Sequence, residues 1–173
     1  MIVQKHIEKK VLRDYFFIEG TIDIDVSYFI KKIKEGFESG ENRSHVTNVK
    51  GEMTNWLWFN KDPKFLEILN QFVSYIDSEI DLPKYHLVNS WGLGLKKNEK
   101  TKDHNHEAAL WSGVIYLNEH TQTLDFVDIN KKVKPEKGKF VLFSSFLNHE
   151  ADHNPSSEIK WAISFNIHEK LRD

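Results

Sequence analysis

A chain of 173 residues has the length of one domain, enough to bury a core without disulfides or structural metals. Its 24 Lys and Arg against 26 Asp and Glu leave a formal net charge of −2, which excludes the broad basic surface of a nonspecific nucleic-acid binder. With no cysteine, disulfides, thiolate metal sites and cysteine nucleophiles are excluded, so any metal must be held by nitrogen and oxygen.

Met1 to Lys10 holds no apolar run of signal-peptide length, and no later run approaches the roughly 20 apolar residues of a membrane span; the chain reads as soluble and cytoplasmic, one domain over 1–173. Val11 to Ile18 predicts a strand ended by Gly20. From Ile24 to Glu38 the spacing becomes helical, with Val26, Phe29, Ile30, Ile33 and Phe37 on one face. Asp62 is placed to cap a second helix, Pro63 suits its first turn, and Phe65, Leu66, Leu69, Phe72, Val73, Ile76 and Ile80 form a stripe that ends before Pro83.

Beyond Pro83 the pattern is of short β-branched and aromatic runs divided by turn-forming clusters: Tyr85 to Leu95, Ala108 to Leu117, Leu124 to Val127, Lys139 to Phe146 and Ile159 to Ile167. An aromatic content of 13% suits sheets packed face to face. Two helices followed by antiparallel strands predict an α+β, mainly β domain in which the helices cover one face of a sandwich or open barrel.

Asp103-His104-Asn105-His106-Glu107 carries the chemistry. Residues two apart on a strand point the same way, so His104 and His106 can offer imidazoles to one point, and His149, after the strand that Gly138 to Phe143 predicts, can close a metal site with open positions. A solvated turn before Ala108-Ala109-Leu110-Trp111 explains His104 and His106 equally well on spacing alone. His6, His45, His86, His120 and His168 show no partner pattern. Lys160 is a lone cation in the run Ile159 to Phe165, either an edge-strand lysine that discourages aggregation or a counter-ion for a bound carboxylate.

Taken in order, Ser90-Trp91-Gly92, His104-Asn105-His106, Ser112-Gly113-Val114-Ile115-Tyr116, Gly138 to Phe143, His149 and Lys160 to Asn166 resemble the 2-oxoglutarate- and Fe(II)-dependent oxygenases. The likeness is to a small, prolyl-hydroxylase-like family of phages and bacteria, and it covers nearly half the chain. It implies a double-stranded β-helix, or jelly roll, with the N-terminal helices on one sheet, and iron held by His104, His106 and His149. It also implies a 2-oxoglutarate cosubstrate paired with Lys160, with dioxygen as oxidant and Tyr116, Asn89 and Asn166 as further cosubstrate contacts. Tyr116 as a plain core aromatic, and the two asparagines as partners for buried backbone, remain open.

The chain departs from the resemblance at three points. His106 stands where the superfamily places a carboxylate, and Glu107 points to the opposite face of an ideal strand, so it can ligate only through a turn or bulge. Lysine replaces the more usual arginine, and Ala162 stands at the small polar position two residues on.

Two alternatives share the fold: a cupin-type metal protein with three histidines and no 2-oxoglutarate, and a jelly-roll binding module without catalysis. The implied substrate is a peptidyl or free amino-acid side chain, with nucleobase demethylation and small-metabolite hydroxylation still open; no membrane partner is expected, and nucleic acid is not the expected one. Trp56 and Trp58, in the loop before the second helix, are candidates for a substrate lid or for the core.

Overall fold

The helical stripes and the strand alternation both find their expected partners. The structure, a computed structural model, describes residues 14–79 and 85–169. In chain order these form β1 (Phe17–Thr21), α1 (Val26–Glu38), β2 (Val49–Lys50), β3 (Glu52–Met53), α2 (Pro63–Glu79), β4 (Tyr85–Leu95) and β5 (Lys100–His104). Then come β6 (Trp111–Tyr116), β7 (Leu124–Phe126), a 3-10 turn (Val127–Ile129), β8 (Lys131–Val133), β9 (Lys139–Ser144), β10 (His149–Ala151) and β11 (Lys160–Glu169).

Asp25 caps α1, accepting from the Tyr28 amide at 3.1 Å, and Asp62 caps α2, accepting from the Phe65 amide at 2.9 Å. The Tyr28 hydroxyl donates to the other oxygen of Asp62 at 2.6 Å and so ties the start of one helix to the other. No helix among the described residues is long and apolar enough to cross a membrane.

Strands pair antiparallel in two sheets, ordered β1-β9-β6-β11-β4-β3 and β2-β5-β10-β7-β8. Alternation splits the larger sheet's side chains between two cores. Trp161, Ile163, Phe165 and Ile167 of β11, with Trp111 and Ile115 of β6, face Phe29 and Ile33 of α1 and Phe65, Leu69 and Phe72 of α2. Each such residue, fully buried, contributes roughly 1.5–3 kcal/mol. The opposite face, with Trp91, Leu93 and Leu95 of β4, Val114 and Tyr116 of β6 and Phe143 of β9, meets Val49, Leu124, Phe126 and Val133 of the smaller sheet. Gly92 lets α1 approach: a Cβ there would lie 2.3 Å from Ile33 Cγ1.

Several expectations need correction. Asp14 to Phe16 precede the first strand rather than belonging to it, and that strand runs through Gly20 to Thr21, because its ladder partners on β9 extend from Phe143 to Lys139. The expected strand from Ala108 begins only at Trp111, since the chain turns through 107–110 before pairing with β9 and β11. The expected strand to Phe146 stops at Ser144, where the chain leaves the larger sheet and crosses to β10 in the smaller one. Val11, Leu12, Arg13, Ile80 and Pro83 lie outside the described residues, as does the side chain of Ile76.

Candidate active site

β5 is polar along its length, yet it pairs with β10 so that His104 and His149 are direct cross-strand partners. Side chains opposite one another on an antiparallel pair stand on the same face, and the two rings lie 4.3 Å apart between centroids. His106 arrives differently from the expected strand alternation. β5 ends at His104, and the chain bends through Asn105 into a turn.

That bend is laced to the crossover before β10. The His106 amide donates to Ser145 O at 2.8 Å, Asn105 Nδ2 to Asn148 Oδ1 at 2.9 Å, and the Ser145 hydroxyl to Ala109 O. The Asn148 amide in turn donates to Asp128 Oδ2 at 2.7 Å. The result brings His106 to 4.8 Å from His104 and 5.3 Å from His149, ring to ring. Glu107 is exposed in the turn, and its carboxylate is not part of the cluster.

The ligand nitrogens of His104, His106 and His149 all lie within 4.8 Å of one another. Metal–nitrogen bonds of about 2.0–2.1 Å then ask only for small ring rotations to meet at one cation. Two of the tautomers are set by the backbone. His104 Nδ1 faces Lys102 O at 2.8 Å and His149 Nδ1 faces Leu147 O at 2.9 Å. A carbonyl only accepts, so each Nδ1 carries the proton and each Nε2 presents its lone pair to the cluster.

Burial holds the three rings neutral. It lowers the His104 pKa, pushes His106 down to about 4 with His104 adding to the effect, and pushes His149 down to about 3 with His104 and His106 as like-charged neighbours. Phe143 and Phe126 pack against His149 at 4.9 and 5.7 Å. A cluster of neutral imidazoles, His149 buried and His104 and His106 half-buried, is the donor chemistry of a divalent transition metal.

The histidines line one end of a cavity between the sheets. β11 supplies Lys160, Ala162, Ser164 and Asn166 to the wall and β6 supplies Ser112, Val114 and Tyr116, each set two residues apart and on one face. β11 lies in the middle of its sheet, between β6 and β4, which removes the edge-strand explanation of Lys160. The residue is 3% exposed, and its ammonium makes a long contact, 3.4 Å to Gln122 O. Desolvation pushes it down to about 7, opposed in part by the Asp125 carboxylate.

The Tyr116 hydroxyl is also buried, and among the described residues no acceptor or donor meets it. Burial raises its pKa, so it is a neutral donor. A cation and a hydroxyl left incompletely satisfied and withdrawn from water fit the carboxylate of a ligand.

No protein-family model matches the chain, and no curated protein matches it in sequence. Solved structures match its fold. The viral collagen prolyl hydroxylase of Paramecium Bursaria Chlorella virus-1, in complex with 2-oxoglutarate, gives a TM-score of 0.69 at 18% identity, over 90% of this chain and 96% of that one. A prolyl-4-hydroxylase of Pseudomonas putida gives 0.68 at 14%, over 90% and 93%. HygX of Streptomyces hygroscopicus, with nickel and 2-oxoglutarate bound, gives 0.65 at 10%, over 91% and 83%.

The chain has the double-stranded β-helix fold of the 2-oxoglutarate-dependent oxygenases. On that fold Asn166 lines the cavity, while Asn89 stands behind it, its Oδ1 accepting from Asn166 Nδ2 at 2.9 Å. Ser112 completes the chain by donating to Asn166 Oδ1 at 2.6 Å. Trp58 is not part of a lid. Its Nε1 donates to Lys32 O at 3.0 Å and its ring packs in the helix-side core.

Trp56, by contrast, packs edge-on against Trp91 at 4.8 Å, and Trp91 reaches His106 at 6.2 Å. Sequence reasoning left Trp91 and Phe143 without roles. Period-two alternation along β4, which sets Trp91, Leu93 and Leu95 on one face, was the available signal.

Proposed function

We propose that this protein is an Fe(II)- and 2-oxoglutarate-dependent oxygenase that hydroxylates a peptidyl or free amino-acid side chain. The observation that carries the reading is one cavity with neutral imidazoles at one end and a buried, incompletely paired lysine and tyrosine farther in.

His104, His106 and His149 would hold the iron through nitrogens whose orientation the Lys102 and Leu147 carbonyls fix. Lys160 would pair the distal carboxylate of 2-oxoglutarate as a point charge, and Tyr116 would donate its hydroxyl to the same group. Iron with 2-oxoglutarate and dioxygen supplies oxidation of an unactivated C–H bond, with decarboxylation to succinate and carbon dioxide. Val114, Leu93 and Phe143 line the space between, and with a ligand in place these apolar side chains would strengthen each polar contact made there. The peptidyl substrate is supported by the prolyl hydroxylases among the structures of like fold.

The three-imidazole set, neutral where the oxygenases usually carry a carboxylate, favours a second reading, a cupin-type metal protein that takes no 2-oxoglutarate. Lys160 weighs against it, because a metal site alone gives a buried cation no partner. The deciding experiment is anaerobic calorimetry of 2-oxoglutarate into the apo and the Fe(II)- or Mn(II)-loaded protein, followed by aerobic assay for succinate. Binding only with metal, and slow succinate release, is the expected result. Metal binding with no 2-oxoglutarate binding leaves the cupin reading.

A further inference from the structure

Trp91 is 4% exposed, lines the cavity, and has an indole Nε1 that is buried with no hydrogen-bond partner among the described residues. Buried indole N–H groups nearly always find an acceptor, and leaving one unmet costs about 1–3 kcal/mol. Trp58 shows the ordinary outcome in this same protein, its Nε1 on Lys32 O.

The position of Trp91 limits what the missing acceptor is. It stands opposite Ser164 on β11, and Ser164 is four residues along that strand from Lys160, roughly 13 Å at about 3.3 Å per residue. Its ring lies against His106. The indole is therefore at the histidine end of the cavity, across from the Lys160 end. A lysine side chain and a five-carbon diacid, laid end to end, bridge that interval.

Of the other polar side chains at this end, Ser112 donates to Asn166 and Asn166 donates to Asn89, while the Ser164 hydroxyl shares the wall opposite Trp91. A diacid held at its far carboxylate by Lys160 brings its near carboxylate to the histidines. The oxygen of that carboxylate turned away from the metal is withdrawn from bulk water and has to be met by a donor.

We propose that Trp91 is that donor: its Nε1–H hydrogen-bonds the metal-chelating carboxylate of 2-oxoglutarate and fixes the plane in which the cosubstrate binds. This rests on the oxygenase reading given above. Trp56, packed edge-on against Trp91, holds the indole in place and acts as a positioning residue. An indole donor also suits a neutral ligand set. With His106 in place of a carboxylate, no ligand anion competes with the cosubstrate carboxylate for the N–H.

The test uses the whole protein, loaded with Zn(II) as a diamagnetic stand-in and labelled with nitrogen-15, and follows its indole N–H resonances as 2-oxoglutarate is added. The Trp91 signal, assigned by its loss in Trp91→Phe, is expected to move downfield and gain protection from exchange while that of Trp58 stays fixed. Trp91→Phe is expected to keep its metal, to weaken 2-oxoglutarate binding about tenfold or more, and to shift the visible charge-transfer band of the Fe(II)–2-oxoglutarate complex.

If Trp91→Phe does not fold, through-space contacts to the His106 ring assign the signal in the wild type and the titration decides alone. A Trp91 signal unmoved by bound 2-oxoglutarate overturns the inference. So does one already shifted upfield by the Trp56 ring in the unliganded protein and insensitive to ligand. Failure of the wild type to bind 2-oxoglutarate at all removes the oxygenase reading and this inference with it.

Discussion

Replacing Lys160 with methionine removes a charge while keeping an unbranched side chain that fills the same space, and two effects of opposite sign follow. In the unliganded protein Lys160 is 3% exposed and its ammonium makes one long contact at 3.4 Å, so it is held in the fold at an electrostatic cost. Its folded-state pKa, about 7, lies below the ordinary 10.5. The unfolded chain therefore binds more protons between those values, and the stability of the unliganded wild type rises with pH through that window. Lys160→Met removes this contribution: the variant should be the more stable at neutral pH and should lack that part of the rise.

Ligand binding goes the other way. A charge-assisted hydrogen bond is worth about 1.5–3 kcal/mol, so Lys160→Met should weaken 2-oxoglutarate about 10- to 150-fold. A carboxylate beside Lys160 raises its pKa again, so binding above pH 7 takes up a proton. Wild-type affinity should be flat below about pH 7 and fall above it, whereas the variant should show no such fall. Calorimetry on Mn(II)-loaded proteins across this pH range, with thermal unfolding of the metal-free proteins, measures both effects. Equal 2-oxoglutarate affinity in wild type and variant would refute the reasoning, whatever the stabilities.

His149→Ala should abolish stoichiometric Mn(II) binding, and His106→Ala should weaken it heavily while Glu107→Gln is mild, because His106 is in the cluster and Glu107 is exposed; metal titration gives the ranking, and the reverse order would place Glu107 on the metal. The metal-free protein should lose stability as pH falls below about 6.5 and on toward 4 and 3, since His106 and His149 are buried neutral and the unfolded chain binds the extra protons; denaturant midpoints across that range test it, and a flat profile would contradict it. Gly138 has φ +75° and a Cβ there would lie 2.3 Å from Ile22 O, so Gly138→Ala should cost about 1–3 kcal/mol in denaturant unfolding; an unchanged midpoint would contradict this.

The sequence alone determined what is set locally. Both helices were legible because the apolar stripe, Asp62 and Pro63 act within a few residues of where they stand. The long strands β4 and β11 were legible because each is long enough to show its composition and bounded by turn residues. The three histidines were legible as candidates, by residue type and order, but spacing left a solvated turn as an equal explanation of two of them; that their nitrogens lie within 4.8 Å of one another came from the fold.

Tertiary structure decided the rest, through pairings between segments distant in sequence. β2, β3, β8 and β10 span only two or three residues and have no period to read; they exist because neighbours supply a ladder. One such ladder sets His149 opposite His104, and the lacing of 105–109 to 145–148 folds His106 in by a route strand alternation did not predict. The central place of β11 turned Lys160 from a possible edge residue into a buried cation. Trp56 and Trp58, two residues apart in one loop, were separated by the folded chain alone: one is bonded to α1, the other packs on the tryptophan beside the histidines. Side-chain direction in an irregular loop follows from what packs around it, and that information is not local.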